Sequence, residues 1–169
     1  MDSDALKAVQ APLKAQYRDA PEDAVITLSA KSNGIDGVAC KLETSKGFIE
    51  AGLHPATGGS GMQACSGDML LEVLVACAGV TLQAVATAFG VTLSRSDITA
   101  EGDLDFRGTL GVAKDAPVGF RDIRMKFDIA ADAPAETLTK IVELTERYCV
   151  VLQTIQDKPN ITLQSNVVA

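Results

Sequence analysis

Val73-Leu74-Val75-Ala76-Cys77-Ala78-Gly79-Val80-Thr81-Leu82-Gln83-Ala84-Val85-Ala86-Thr87-Ala88-Phe89-Gly90-Val91-Thr92-Leu93-Ser94 carries no charged side chain. A stretch of about 20 apolar residues is long enough to cross a bilayer. Gly79, Thr81, Gln83, Thr87 and Gly90 interrupt this one, Asp68 and Glu72 stand within its first helical turns, and no Lys or Arg anchors its N-terminal flank. A helix that is apolar on nearly every side is equally the central helix of a protein core. The central-helix reading is preferred. Ser66 or Asp68 is the expected N-cap, and Gly90 the expected stop after Phe89.

Outward from this helix the hydrophobic period changes repeatedly. Ser3 to Tyr17 has Ala5, Leu6, Val9, Leu13 and Tyr17 at helical spacing, with Pro12 weakening the middle. Ala24 to Lys31 alternates as a strand, followed by the turn signals Ser32-Asn33-Gly34 and Asp36-Gly37. Val38 to Thr44 and Phe48 to Leu53 read as two further strands, joined by the turn Ser45-Lys46-Gly47. Residues 54–67, HPATGGSGMQACSG, have no period and form a loop into the long helix.

Beyond the helix, Asp97 to Phe106 and Phe120 to Ala130 are expected strands, separated by a Gly/Pro-containing connection. Ala133 opens a second helix with Pro134 at its first position and Glu136 in its first turn, running towards Cys149 and on to Ile155. Asn160 to Val168 closes the chain as a strand. Strands met consecutively pair antiparallel, so the fold class is α+β, in one domain over residues 1–169 with residues 1–20 as a helical extension.

Composition narrows the function. The chain has 169 residues, 47% apolar and 22% charged, with a net charge of -7. That is enough chain for a core without metal or disulfide staples, and too apolar for disorder. The negative charge, with Lys and Arg scattered, argues against nucleic acid and against anionic membranes as partners. The N-terminus Met1-Asp2-Ser3-Asp4 lacks the basic and apolar regions of a signal peptide, so a cytoplasmic location is expected. In that compartment the four cysteines are not a disulfide framework. No Cys-x-x-Cys pair occurs and His54 is the one histidine, so neither a metal nor another cofactor is expected.

The cysteines hold the nucleophilic promise. Cys77 lies in the most apolar helix, Cys149 near the end of the second, Cys40 in a strand, and Cys65 in the Gly-rich loop. Each alone is more often a small buried hydrophobe than a reagent. Cys40 alternates with Val38 and Leu42 and reads as core. Cys65, at a helix start, is an alternative resolving thiol or an inert loop residue. His54 reads as a solvated loop residue, and Asp68 as a cap.

The segment Cys65-Ser66-Gly67-Asp68-Met69-Leu70-Leu71-Glu72-Val73-Leu74-Val75-Ala76-Cys77 resembles the signature of the OsmC/Ohr family, and Glu146-Arg147-Tyr148-Cys149-Val150-Val151 resembles its second cysteine motif. The resemblance covers residues 24–168. It implies an OsmC-like fold, an intertwined homodimer with antiparallel sheets wrapped around central helices, and a thiol peroxidase acting on organic hydroperoxides or hydrogen peroxide. By position, Cys77 is the peroxidatic and Cys149 the resolving cysteine, with an external dithiol as reductant.

The chain departs from the family pattern where a glutamate is expected ten residues before the reactive cysteine. Gly67 stands there. Along a helix, Asp68 falls about 180° and Glu72 about 140° around from Cys77, so neither shares its face. Arg18, Arg107 and Arg147 are the candidates for an activating arginine, and sequence does not choose among them.

Two readings follow: a two-cysteine peroxidase, or a non-catalytic OsmC-like protein binding a small apolar molecule at the dimer interface. Gly67 favours the second, and the cysteine pair favours the first. An obligate homodimer is expected in either case, because a helix of this composition has no polar face to show water.

Overall fold

The chain is organised around α2 (Ser66–Ala88), a 23-residue helix. The structure, a computed structural model, describes residues 1–35, 38–44 and 47–167. Leu74, Ala78, Leu82 and Ala86, four residues apart on one face, are the buried residues of α2. The other side differs from the sequence expectation of burial all round. Val73 is 52% and Val80 74% exposed, with Ala76 and Ala84 exposed between and beyond them. Residues 73, 76, 80 and 84 keep to one side of a helix, so α2 carries two apolar faces and one chain covers only one of them.

Gly90 ends the helix as expected. It takes φ +69°, which a side chain disfavours, and its N–H donates to the Thr87 carbonyl while the Val91 N–H donates to the Ala86 carbonyl. The start was read less well. Cys65, rather than Ser66 or Asp68, is the N-cap and makes no side-chain capping bond, while Asp68 lies in the first turn where its charge suits the helix dipole.

Two sheets flank the helix. The first has the order β1 (Lys31–Ile35), β2 (Ala39–Thr44), β3 (Gly47–Gly52), β4 (Ala64–Cys65), with β1–β2 and β2–β3 antiparallel. The β3–β4 pairing is parallel, Ala51 opposite Ala64 and Gly52 opposite Cys65. The unbroken loop expected over residues 54–67 thus contains a strand, preceded by a 3₁₀ turn at Pro55–Thr57.

The second sheet is the ribbon β5 (Leu93–Leu104) and β6 (Phe120–Ala131), antiparallel with Ile98 opposite Phe127 and Ala100 opposite Met125. Its inner face presents Ile98, Ala100, Ile123, Met125 and Phe127 to the core. Its outer face is charged, with Arg124 pairing Asp103 and Glu101, and Lys126 pairing Asp128. This alternation is that of a sheet buried on one side. Within the connection, α3 (Phe106–Thr109) adds one helical turn.

The N-terminal helix α1 runs Ser3–Asp19, through Pro12. The second predicted helix is broken in two: α4 (Ala135–Tyr148), with Pro134 as N-cap rather than first residue, and α5 (Val150–Gln156). Between them Cys149 takes an extended conformation, φ -71° and ψ 104°. α2 packs against β5, α4 and α5.

Two expected strands are not formed. Ala24 begins no strand but ends a 3₁₀ turn, and Val25 to Ala30 is irregular, with Val25, Ile26 and Leu28 all more than two-thirds exposed. Residues 160–167 are likewise irregular, with Ile161, Leu163 and Val167 exposed. Both alternate as strands should, but neither has a ladder partner among the described residues, and a strand exists only with its partner. Asp36-Gly37, Ser45-Lys46 and Val168, named in the sequence reading, lie outside the described residues.

The loop before β4 is tightly built. The His54 carbonyl accepts from the Thr57 and Gly59 N–H groups, at 2.8 and 3.1 Å. A Cβ on Gly59 would stand 1.7 Å from the Leu53 carbonyl oxygen, and backbone cannot swing aside as a side chain can. Gly59→Ala should therefore lower the melting temperature by about 5–10 °C. Differential scanning calorimetry checks this, and an unchanged midpoint would refute the close approach.

Candidate active site

Cys77 sits in the middle of α2, one turn beyond Leu74, and Cys149 sits at the break between α4 and α5. The packing of α2 against α4 and α5 brings the two together. Cys149 is fully buried with Leu74 and Ala78, and half-buried Cys77 packs against this cluster beside Val151, Leu152 and Ile155. The two thiols are close enough for each to act on the other's ionisation.

The helix break matters chemically. Because Cys149 is extended, α5 starts afresh at Val150, and the first N–H groups of a helix have no carbonyl of their own turn to donate to. Those of Val150 and Val151 reach the Cys77 sulfur. Burial pushes the Cys77 thiol up. The Val151 N–H, the Cys149 thiol, the Val150 N–H and the Thr81 hydroxyl together outweigh it and hold Cys77 below the ordinary cysteine value. Cys149 moves the other way. Burial raises it, and the neighbouring Cys77 thiolate raises it further, against the Leu152 and Val151 N–H groups. One thiol is thus poised to ionise while its neighbour keeps its proton, an arrangement suited to a nucleophile beside a proton donor.

The other candidates lie elsewhere. Cys65, at the N-terminal end of α2, stands about 18 Å from Cys77 along the helix axis, beyond the ~7 Å between α-carbons that a disulfide allows. It is half-buried, lining a cavity with His54, Leu104, Phe106 and Phe120. His54 is more structured than the solvated residue expected. Its Nδ1 accepts from the Ala56 N–H at 3.0 Å, and its ring stacks on Phe106 with centroids 4.9 Å apart. Cys40 is half-buried on β2 opposite Ala51.

Of the candidate arginines, Arg107 is forked onto Asp105, whose carboxyl it holds down at about 2. Arg147 lies over the Tyr148 ring, and Arg18 is in the last turn of α1. None of the three acts on Cys77, and neither Asp68 nor Glu72 does. Sequence reasoning missed Thr81 and the α5 backbone. Thr81 could have been found, being four residues after Cys77 and so on its face. The break at Cys149 has no Gly or Pro to announce it.

The fold is α+β, and it brings half-buried Cys77 against buried Cys149. The family model described as OsmC-like protein matches residues 59–164, and the chain belongs to the OsmC-like family. No curated protein sequence matches the chain. Among solved structures it is similar to an OsmC-like protein from Mycoplasma pneumoniae, with TM-score 0.66 and 15% identity over 79% of this chain and 89% of that one. It is similar also to an organic hydroperoxide resistance protein from Elizabethkingia anophelis, with TM-score 0.59 and 14% identity over 79% and 91%. OhrB of Bacillus subtilis, an organic hydroperoxide resistance protein, aligns with TM-score 0.52 and 17% identity over 79% and 93%. These likenesses establish the fold.

Proposed function

We propose that the protein is a two-cysteine thiol peroxidase that reduces organic hydroperoxides or hydrogen peroxide. The observation that carries this reading is the meeting of two cysteines from different helices, Cys77 of α2 packed against the cluster that holds Cys149 at the α4–α5 break. The Cys77 thiolate attacks the terminal oxygen of ROOH, the O–O bond breaks, and the alkoxide takes a proton to leave as ROH. Cys77 is now a sulfenic acid. The Cys149 sulfur attacks it, and the Cys149 proton and the sulfenic hydroxyl leave as water, forming a disulfide. An external dithiol then reduces that bond by exchange and is itself oxidised to a disulfide. The absence of the family's glutamate is met by neutral donors around Cys77. The proposed setting is the reducing cytosol, in keeping with four unpaired cysteines.

We propose further that the working form is a homodimer. The single chain exposes 12420 Å², whereas a folded monomer of 17.6 kDa exposes about 7,900 Å². The excess matches the scale of an obligate interface. Exposed apolar side chains include those on the second face of α2 and in the alternating segments 25–30 and 160–167, which have no partner strand among the described residues.

Hydroperoxide consumption with dihydrolipoate as electron donor tests the activity. Wild type should turn over many equivalents and Cys77→Ser none, and equal rates would refute the reading. A second reading, binding of a small apolar molecule, is favoured by a cavity of about 420 Å³ beside the cysteine pair, walled by Leu74, Ile123, Met125, Phe127 and Leu152. Tight binding of an apolar probe with no turnover would support it instead.

A further inference from the structure

We propose that Thr81 belongs to the reactive-cysteine site, its hydroxyl turning from the Cys77 carbonyl to the Cys77 sulfur as the thiol ionises. The geometry carries this. Thr81 lies one turn after Cys77 on the same face of α2, half-buried, and its Oγ1 donates to the Cys77 carbonyl oxygen at 2.8 Å. That carbonyl is already the acceptor of the helical N–H from residue 81, so the hydroxyl bond is supplementary and the helix keeps its ladder when it is given up. Rotation about one bond re-aims the hydroxyl, and a thiolate is a stronger acceptor than a carbonyl that is already bonded. Thr145 and Thr154 of α4 and α5 make the same bond to the carbonyl four residues back, but there that carbonyl belongs to Ile141 and Val150, and at Thr81 it belongs to a cysteine.

The surroundings give the hydroxyl its weight. Of the ionisable groups on α2 and on the elements packed against it, Cys149 at the α4–α5 break is the one that acts on Cys77. The groups that hold its thiol down are uncharged donors of α2 and of the α4–α5 break. Apolar side chains, Leu74, Ala78, Ile98, Val151 and Leu152, pack around the pair. Thr81 and the Cys149 thiol are then the two side chains that can follow the charge as it forms, beside two fixed N–H groups. Thr81 acts as a positioning residue for the thiolate, using a neutral dipole where a cation would serve elsewhere.

The assignment rests on Cys77 being the reactive thiol, but not on peroxide turnover, and the test separates the two. Alkylation of Cys77 by iodoacetamide is followed against pH in the full chain, with peptide mass analysis to isolate this cysteine. Thr81→Val keeps the shape and removes the donor. It should shift the Cys77 titration up by about one pH unit and slow alkylation at neutral pH up to about tenfold. Thr81→Ser should titrate like wild type. The wild-type midpoint should also hold steady between about 0.05 and 1 M salt, because neutral donors are little screened. A Thr81→Val midpoint equal to wild type overturns the proposal, as does an equal shift in Thr81→Ser, which would assign the effect to packing. A midpoint that rises steeply with salt also overturns it, pointing to a cation from a second copy. Should the shifts appear without peroxide turnover, the peroxidase reading fails and this one stands.

Discussion

Cys149→Ser should consume about two equivalents of hydroperoxide, one to the sulfenic and one to the sulfinic acid, and then stop. Cys77 remains a nucleophile in this variant, so the first attack proceeds, but its sulfenic acid finds no thiol beside it. Further peroxide carries it to the sulfinic acid, which external dithiols do not reverse. The substitution also removes the Cys149 thiol that donates to the Cys77 sulfur. A serine hydroxyl is shorter and cannot fill the same contact, so the Cys77 titration should rise by about one pH unit. At neutral pH the first attack slows in proportion to the lost thiolate, and above both midpoints it recovers. Stopped-flow measurement of peroxide loss across pH, with intact-mass analysis of the product, reads both effects. Sustained turnover in Cys149→Ser would mean that another thiol resolves the sulfenic acid.

The second large effect is expected on the outer face of α2. Val80 is 74% exposed in one chain and lies midway along the apolar line of Val73, Ala76 and Ala84. In a two-fold dimer joined along this line, each copy brings its own Val80 to the contact. Val80→Asp places two like carboxylates in an apolar seam with no partner to pair them. Each costs several kcal/mol to desolvate, so the dimer should weaken by roughly a thousandfold or more, leaving monomer or aggregate. Val80→Ile keeps the chemistry and should remain dimeric. Light scattering at micromolar concentration distinguishes these outcomes. A Val80→Asp variant of dimeric mass, or a wild type of monomeric mass, would remove α2 from the interface.

The relation of sequence to structure follows which partners each element needs. Some elements stabilised within the chain were legible, while β1, β4, the first four residues of β5 and the break after α4 were not. The helix of residues 66–88, its stop at Gly90 and the β5–β6 ribbon are set by local period and by glycine chemistry, and they stand where the pattern put them. Residues 25–30 and 160–167 have the same alternation but no neighbour to complete a ladder, and they are irregular in a single chain. Periodicity states what a segment can pair with, and not whether a partner is present.

The site divides in the same way. That Cys77 and Cys149 are the cysteines brought together follows from resemblance at two motifs, since no local rule connects positions on different helices. What lowers the Cys77 thiol was hidden, because it comes mainly from backbone N–H groups exposed by a break that side-chain identity does not mark. A search for an arginine looked for a charge where the chain uses dipoles. The side chains next to Cys77 on α2 are small, Ala76 exposed and Ala78 buried in the core. The composition of α2 suggested a helix buried all round, and the structure shows one side of it exposed.

The central claim is that Cys77 and Cys149 form one redox couple within one chain. Peptide mapping of the protein after brief exposure to a single equivalent of hydroperoxide, quenched with an alkylating agent, tests it directly. The predicted result is a Cys77–Cys149 disulfide joining peptides of the same chain, with Cys40 and Cys65 alkylated, and none of it in Cys77→Ser. Cys77 recovered as a free thiol, or linked to Cys65 in place of Cys149, would contradict it.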